Sequence, residues 1–127
     1  MESGDIYLYN NRGRGWGSYA RPVGTALVVI DILRDSDGEP AWVSARDALN
    51  LTTYRVYPDQ LDPVPDGKTV PEALHEILDT LLGKEKSAKF MRDRMQTYES
   101  LVSSGRIPPI DEARVVRPYD EGCSVRP

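Results

Sequence analysis

The stretch TVPEALHEILDTLL, residues 69–82, combines a helix capping box, a proline in the first turn and a continuous apolar stripe. Thr69 and Glu72 have the spacing at which each side chain accepts a hydrogen bond from the other residue's backbone amide. Pro71 suits a first turn, and Gly83 suits a helix end. The stripe consists of Val70, Ala73, Leu74, Ile77, Leu78, Leu81 and Leu82. This pattern predicts an amphipathic helix that packs on the rest of the chain or on a partner.

A second helical pattern follows after a short turn. Apolar residues recur with helical spacing from Ala88 to Val102, and Gly105 suits the end of that helix. The short connection predicts an antiparallel helical hairpin over residues 69–105. Ion pairs across this hairpin are predicted between two groups of opposite charge. The basic group is Lys84, Lys86, Lys89, Arg92 and Arg94, and the acidic group is Glu72, Glu76 and Asp79.

Residues on either side of the hairpin have different compositions. Residues 106–127 carry four prolines, mixed charges and scattered apolar residues, which predicts an extended C-terminal tail. Before the hairpin, residues 26–30 are apolar at every position, as in a strand covered on both faces. Asp35 to Gly38 has the composition of a hairpin turn. The predicted strands cover residues 5–9, 23–34, 40–45 and 52–57.

The strand pattern over Asp5 to Leu61 resembles SH3-like barrels, with a long first loop, a tight second hairpin and a closing turn broken by proline. The style of the whole chain also resembles small accessory proteins of actinobacterial phages. The resemblance implies an α+β fold in which a small SH3-like antiparallel β-barrel at 1–62 precedes the helical hairpin at 69–105. The extended tail at 106–127 completes a single folding unit.

Composition limits the setting and the partners. The chain has 127 residues, and a 39% hydrophobic fraction with 28% charged residues is ordinary for a globular domain without a membrane span. No secretory signal pattern is present, and the lone Cys123 cannot form an internal disulfide, so a cytoplasmic setting is expected, or the virion for a phage component. The net charge of −4 argues against nucleic-acid binding through the overall field.

The chemistry-bearing residues are too few for a recognisable active site. His75 is the only histidine and Cys123 the only cysteine, which excludes a two-histidine metal site or a dedicated zinc site within one chain. Glu72, His75, Glu76 and Asp79 share a helical face, but the second half of a di-metal motif is missing, so a solvated acidic face is expected. We therefore expect no catalytic residue, no metal, no cofactor and no enzymatic activity.

The most distinctive chemical segment is the loop at 10–22, where arginines and aromatic residues alternate on a glycine-rich backbone without an acidic residue. Its candidate binding residues are Arg12, Arg14, Trp16, Tyr19 and Arg21. These residue types are enriched at protein interfaces, and they also stack on and pair with nucleic acid. A purely structural alternative is that Trp16 covers an open barrel end while the arginines stay solvated.

The sequence thus favours a non-enzymatic protein–protein interaction or assembly module, with another protein or a second copy of the chain as its partner. A phage accessory or virion component would fit this role. The alternative is a nucleic-acid-binding module that uses the loop at 10–22, and steep salt dependence would distinguish it. No membrane partner is expected.

Overall fold

The structure is a computed structural model that describes residues 1–10 and 25–118. Within these residues the chain forms a six-stranded, mostly antiparallel sheet followed by two α-helices, so the predicted α+β class is confirmed. The sheet is open and not a closed barrel. The elements are β1 (Asp5–Tyr9), β2 (Ala26–Arg34), β3 (Pro40–Asp47), β4 (Thr53–Val56), β5 (Leu61–Asp62), α1 (Val70–Leu82), α2 (Lys84–Ser103) and β6 (Arg114–Val115).

The sheet has the strand order β4-β3-β2-β1-β5, with β6 paired to β1 beside β5. The second half of β1 pairs antiparallel with β5 through Leu8 and Asp62, and its first half pairs parallel with β6 through Asp5 and Arg114. Two short strands from distant parts of the sequence therefore share one edge of β1.

The predicted hairpin between β2 and β3 is confirmed, and local turn chemistry explains it. Gly38 has φ 83°, which a residue with a side chain rarely adopts. The Asp35 carboxylate accepts hydrogen bonds from the backbone amides of Asp37 at 2.9 Å and Glu39 at 3.1 Å. The register shifts between Val29 and Asp31, so the outer half of the hairpin begins at an irregularity of β2.

The capping box at the start of α1 is present as predicted. The Thr69 hydroxyl accepts from the Glu72 amide at 3.2 Å, and the Glu72 carboxylate accepts from the Thr69 amide at 2.9 Å. The pKa of Glu72 is lowered mainly by the hydrogen bond from the Thr69 amide and, to a smaller extent, by the hydrogen bond with the Thr69 hydroxyl. Gly83, with φ 86°, ends α1 and directly precedes α2. No helix among the described residues is long and apolar enough to cross a membrane.

The two faces of the sheet bury separate clusters of side chains. Strand β1 alternates between them, with Ile6 and Leu8 on the helix side and Tyr7 and Tyr9 on the other side. The helix-side core also contains Ala26, Ala48, Leu49, Val64, Val70, Ala73, Leu74, Leu78 and Met91. The second core also contains Leu27, Val29, Val43, Ala45, Val56, Leu61 and Val116.

The apolar stripe of α1 is only partly buried. Leu74 and Leu78 are in the helix-side core, whereas Leu81 and Leu82 are exposed. The buried residues of α1 are Val70, Ala73, Leu74 and Leu78, so the last turn of the helix lies outside the core. A continuous apolar stripe in the sequence therefore overestimates the buried face.

The described part of the predicted extended tail folds back onto the sheet. After a short 3-10 turn at Ile110–Glu112, the Val116 amide donates to the Ile6 carbonyl at 3.2 Å. The Val116 carbonyl accepts from the Val64 amide at 2.8 Å. Val115 packs against the helix-side core and Val116 enters the second core. Composition alone missed this docking because only these few apolar residues support it.

The predicted ion pairs across the helical hairpin are wrong. Arg94 of α2 instead pairs with the buried Asp47 of β3 at 3.2 Å, and Lys68 pairs with Glu76. Among the described residues, none of the three lysines of α2 pairs with an acidic residue of α1. A buried carboxylate at the sheet offers Arg94 a stronger partner than a solvated helix face does.

Candidate functional site: an aromatic and arginine surface on the sheet

The predicted binding residues Arg12, Arg14, Trp16, Tyr19 and Arg21 lie outside the described residues. The loop at 10–22 therefore stays a prediction as a binding surface. Of that segment, Asn10 is described, and its amide donates to the Gln60 carbonyl at 2.9 Å.

The described residues contain a second group of aromatic, aliphatic and arginine side chains, which we call the Trp42 surface; its Leu33 and Arg55 are exposed, and its Trp42 and Tyr57 are half-buried. It comprises Leu33, Trp42, Arg55 and Tyr57. The rings of Trp42 and Tyr57 have centroids 4.2 Å apart and are tilted by 32°. The Arg55 guanidinium lies 5.8 Å from the centre of the Trp42 ring, within the range of a cation–π contact. Leu33 is 63% exposed and lies directly opposite Trp42 in the β2–β3 pairing.

Strand alternation places these side chains on one face. Val43 and Val56 are directly opposite each other on β3 and β4 and point into the second core. Their neighbours Trp42, Arg55 and Tyr57 therefore point to the other face. That face is covered by α1 and α2 near β1, but the outer half of the β2–β3 hairpin extends past the helix-side core.

A buried glutamine fixes the end of the Trp42 surface. Tyr57 precedes a 3-10 turn at Pro58–Gln60, and its amide donates to the Gln60 side-chain carbonyl at 3.0 Å. The Gln60 side chain is fully buried, and its amide nitrogen lies 3.4 Å from the Tyr9 hydroxyl, which accepts its hydrogen bond. The backbone that carries Tyr57 is thus tied to β1, which pre-organises the ring against Trp42.

The Trp42 surface has the composition of a binding hot spot. Tryptophan, tyrosine and arginine are the residues most enriched among those that dominate interface energies. The aromatic faces accept apolar or planar groups, and Arg55 can donate to a carboxylate or a phosphate. Sequence reasoning missed this group because the register of β3 against β4, which brings Tyr57 to Trp42, is not readable from either strand alone.

A separate cleft of about 480 Å³ opens between the start of α1, the middle of α2 and the C-terminal segment. Its floor is apolar, with Val70, Met95 and Val115. The Tyr98 hydroxyl lies at its wall and accepts a hydrogen bond from the Ile110 amide at 2.8 Å. This hydrogen bond holds the 3-10 turn against α2. The cleft therefore lies where two packed segments of the chain meet.

The acidic face of α1 is solvated, with Glu72, His75 and Glu76 exposed. His75 Nε2 lies 3.5 Å from Asp79 Oδ1 one turn later. Among residues 1–10 and 25–118, no group of three or more histidine, cysteine or acidic side chains is placed to hold a metal ion.

The Trp42 surface is accordingly the described arrangement best suited to recognition of another molecule. Comparison with known proteins adds no further constraint on what that molecule is. No protein-family model, no curated protein and no solved structure matches the chain.

Proposed function

We propose that this chain is a non-enzymatic protein–protein interaction or assembly module, and that the Trp42 surface is its docking site. The observation that carries the proposal is the stacked pair of Trp42 and Tyr57 beside Arg55 on a sheet face that the helices leave uncovered. Half-buried aromatic side chains on a backbone that a buried hydrogen bond holds in place lose little conformational freedom on binding.

A protein partner is favoured over nucleic acid by the charge of this region. The hairpin that carries Trp42 and Leu33 also carries Asp35, Asp37 and Glu39 at its turn, all of them exposed. Acidic side chains beside a stacking surface repel a phosphate backbone. A partner protein could pack an apolar side chain on the aromatic pair and place basic residues beside the acidic hairpin turn.

We also propose that residues 5–62 form an open relative of the SH3-like barrel. The strand order, the 3-10 turn just before β5 and the long segment between β1 and β2 support this relationship. An experimental structure in which the free edges of β4 and β5 stay far apart on a flat sheet would contradict it.

Peptide selection tests the docking site directly. A random-peptide display library is selected on the purified wild-type chain, and the enriched peptides are then measured against Trp42→Ala. We expect the Trp42→Ala variant to bind at least about tenfold more weakly, since a hot-spot residue contributes more than about 1–2 kcal/mol. Leu51→Ala is the matched control, because Leu51 is 44% exposed but lies outside the Trp42 surface.

The nucleic-acid alternative is tested by measuring the binding of a labelled single-stranded oligonucleotide by fluorescence anisotropy at low and high salt. Binding that falls steeply with salt and disappears in Trp42→Ala would replace the protein-binding proposal with the nucleic-acid alternative. Peptides that bind wild type and Trp42→Ala equally would exclude this surface. Circular dichroism of each variant verifies that the fold is retained.

A further inference from the structure

The outer end of the β2–β3 hairpin is strongly acidic. Residues 31–39, which we call the acidic tip, contain four carboxylates and one cation, Arg34. All five charged side chains are exposed. The carboxylates are Asp31, Asp35, Asp37 and Glu39.

The opposite charge is concentrated at the start of α2. Residues 84–92, which we call the basic tip, contain four cations and one carboxylate, Glu85, and all five are exposed. The cations are Lys84, Lys86, Lys89 and Arg92. In a chain whose overall net charge is −4, two short segments therefore have opposite charges of equal size.

Neither tip is neutralised within residues 1–10 and 25–118. None of these ten charged groups forms an ion pair anywhere in the described structure. The helix dipole disfavours cations in a first helical turn, so Lys84 and Lys86 carry a local cost that no ion pair of the described residues offsets.

Exposed apolar side chains accompany both tips. Six large hydrophobic side chains are exposed in the described residues, and only Leu51 lies away from the tips. Ile30 directly precedes the acidic tip and Leu33 lies within it; Leu81 and Leu82 precede the basic tip, and Phe90 lies within it. Each tip thus combines one sign of charge with apolar area, which is the composition of a desolvated contact with a charged rim.

We propose that a second copy of this chain docks its basic tip on the acidic tip of the first. This inference rests on the proposed function as an interaction or assembly module and names one partner. Because the two tips are different surfaces, the contact is head-to-tail. A pair of copies joined in this way still has one free tip on each copy, and each free tip can bind a further copy. Such contacts generate rings or open chains instead of closed two-fold dimers.

The first test is the solution mass of the nuclease-treated chain by light scattering. At about 0.01 M ionic strength, where the Debye length is about 30 Å, we expect a mass above 14.2 kDa that grows with protein concentration. At about 1 M, where the Debye length is about 3 Å, the mass should fall toward the monomer.

The second test exchanges the charges. The variant K84E/K86E/K89E makes both tips acidic, and the variant D31K/D37K/E39K makes both tips basic. Asp35 is left unchanged because its carboxylate holds the hairpin turn. Each variant alone should associate at least about 100-fold more weakly than wild type, since like charges then face each other. An equimolar mixture of the two variants should recover the association.

The control is D66K/E99K/D111K, which has the same change in charge as D31K/D37K/E39K but at exposed carboxylates outside both tips, and it should associate at least as well as wild type. A wild-type chain that stays monomeric at both ionic strengths would overturn the inference, and the peptide selection on Trp42 would still decide the proposed function. Association that the tip variants leave intact, or that the mixture fails to recover, would also overturn it.

Discussion

Asp5 joins the two ends of the described chain through one buried carboxylate. Its side chain is 3% exposed, and both of its oxygens accept hydrogen bonds from Arg114, at 2.9 and 3.0 Å. Burial alone raises the pKa of Asp5, but the Arg114 guanidinium and the Glu2 amide outweigh burial, so this pKa lies below its ordinary value. The charged form is therefore the one that the fold stabilises.

We expect the loss of Arg114 to lower the free energy of unfolding more than the loss of the Asp5 charge does. Arg114→Ala leaves a buried carboxylate without its cation and should lower the free energy of unfolding by about 3 kcal/mol. Asp5→Asn removes the buried charge and leaves an arginine that is 58% exposed, so we expect a loss of about 1–2 kcal/mol. Urea unfolding at neutral pH measures both losses, and equal losses would contradict this account of burial.

The same pair predicts a pH dependence. Because the pKa of Asp5 is lower in the folded than in the unfolded state, its contribution is complete above the unfolded value of about 3.9 and is lost as the pH falls through the folded pKa. The difference in unfolding free energy between wild type and Asp5→Asn should therefore shrink when urea titrations are repeated from pH 6 down to pH 3. If the difference in unfolding free energy stays constant over this pH range, the stabilisation by Asp5 comes from side-chain packing and not from its charge.

At the scale of single elements, the N-terminus of α1 offers a direct test of local chemistry. Thr69→Ala removes the hydroxyl that accepts from the Glu72 amide and should cost about 1 kcal/mol. Thr80→Ala, an exposed position inside the same helix, should cost less than about 0.5 kcal/mol because alanine is the better helix former. Thermal unfolding of the two variants compares them, and similar losses would show that the cap adds little.

Local signals predicted the individual elements well. The hairpin turn around Gly38, the cap at Thr69 and the helix stop at Gly83 all lie where short-range chemistry indicates. The end of the buried stripe was not predictable, since Leu81 and Leu82 have the same spacing as Leu74 and Leu78 but extend past the core. Periodicity reports which face is apolar, and tertiary contact alone decides how far along the helix that face is covered.

At the scale of the whole molecule, the C-terminal segment connects the sheet to the chain that precedes α1. The Val116 amide and carbonyl bond to Ile6 and Val64, and the Val116 side chain is 1% exposed. Hydrogen exchange by NMR should therefore show the amides of Val64 and Val116 exchanging only through global unfolding, as slowly as those in the middle of β2.

The control for this measurement is an amide that can exchange through local opening of the chain. The Gly38 amide, bonded within the exposed hairpin turn, should exchange much faster. If the Val116 amide exchanges as fast as that of Gly38 while β2 stays protected, the C-terminal segment opens independently of the sheet.

The candidate site was less predictable than the fold, for the same long-range reason. Arginine and aromatic residues at 10–22 stand out in the sequence because they are contiguous. Trp42, Arg55 and Tyr57 are spread over two strands and a turn, and pairing between β3 and β4 brings them together. Sequence reasoning therefore finds surfaces built from one segment and misses surfaces built from several.

The pairing of β1 with β6 also sets an order of events during synthesis. Asp5 leaves the ribosome 109 residues ahead of Arg114, a delay of roughly 5–20 s at bacterial or eukaryotic elongation rates. Throughout that interval half of one edge of β1 lacks its native neighbour, and the Asp5 carboxylate has no cation beside it. A nascent chain would thus expose an unpaired strand edge until almost all of the described residues have been made, which is the period in which a chaperone or a pairing partner has access to it.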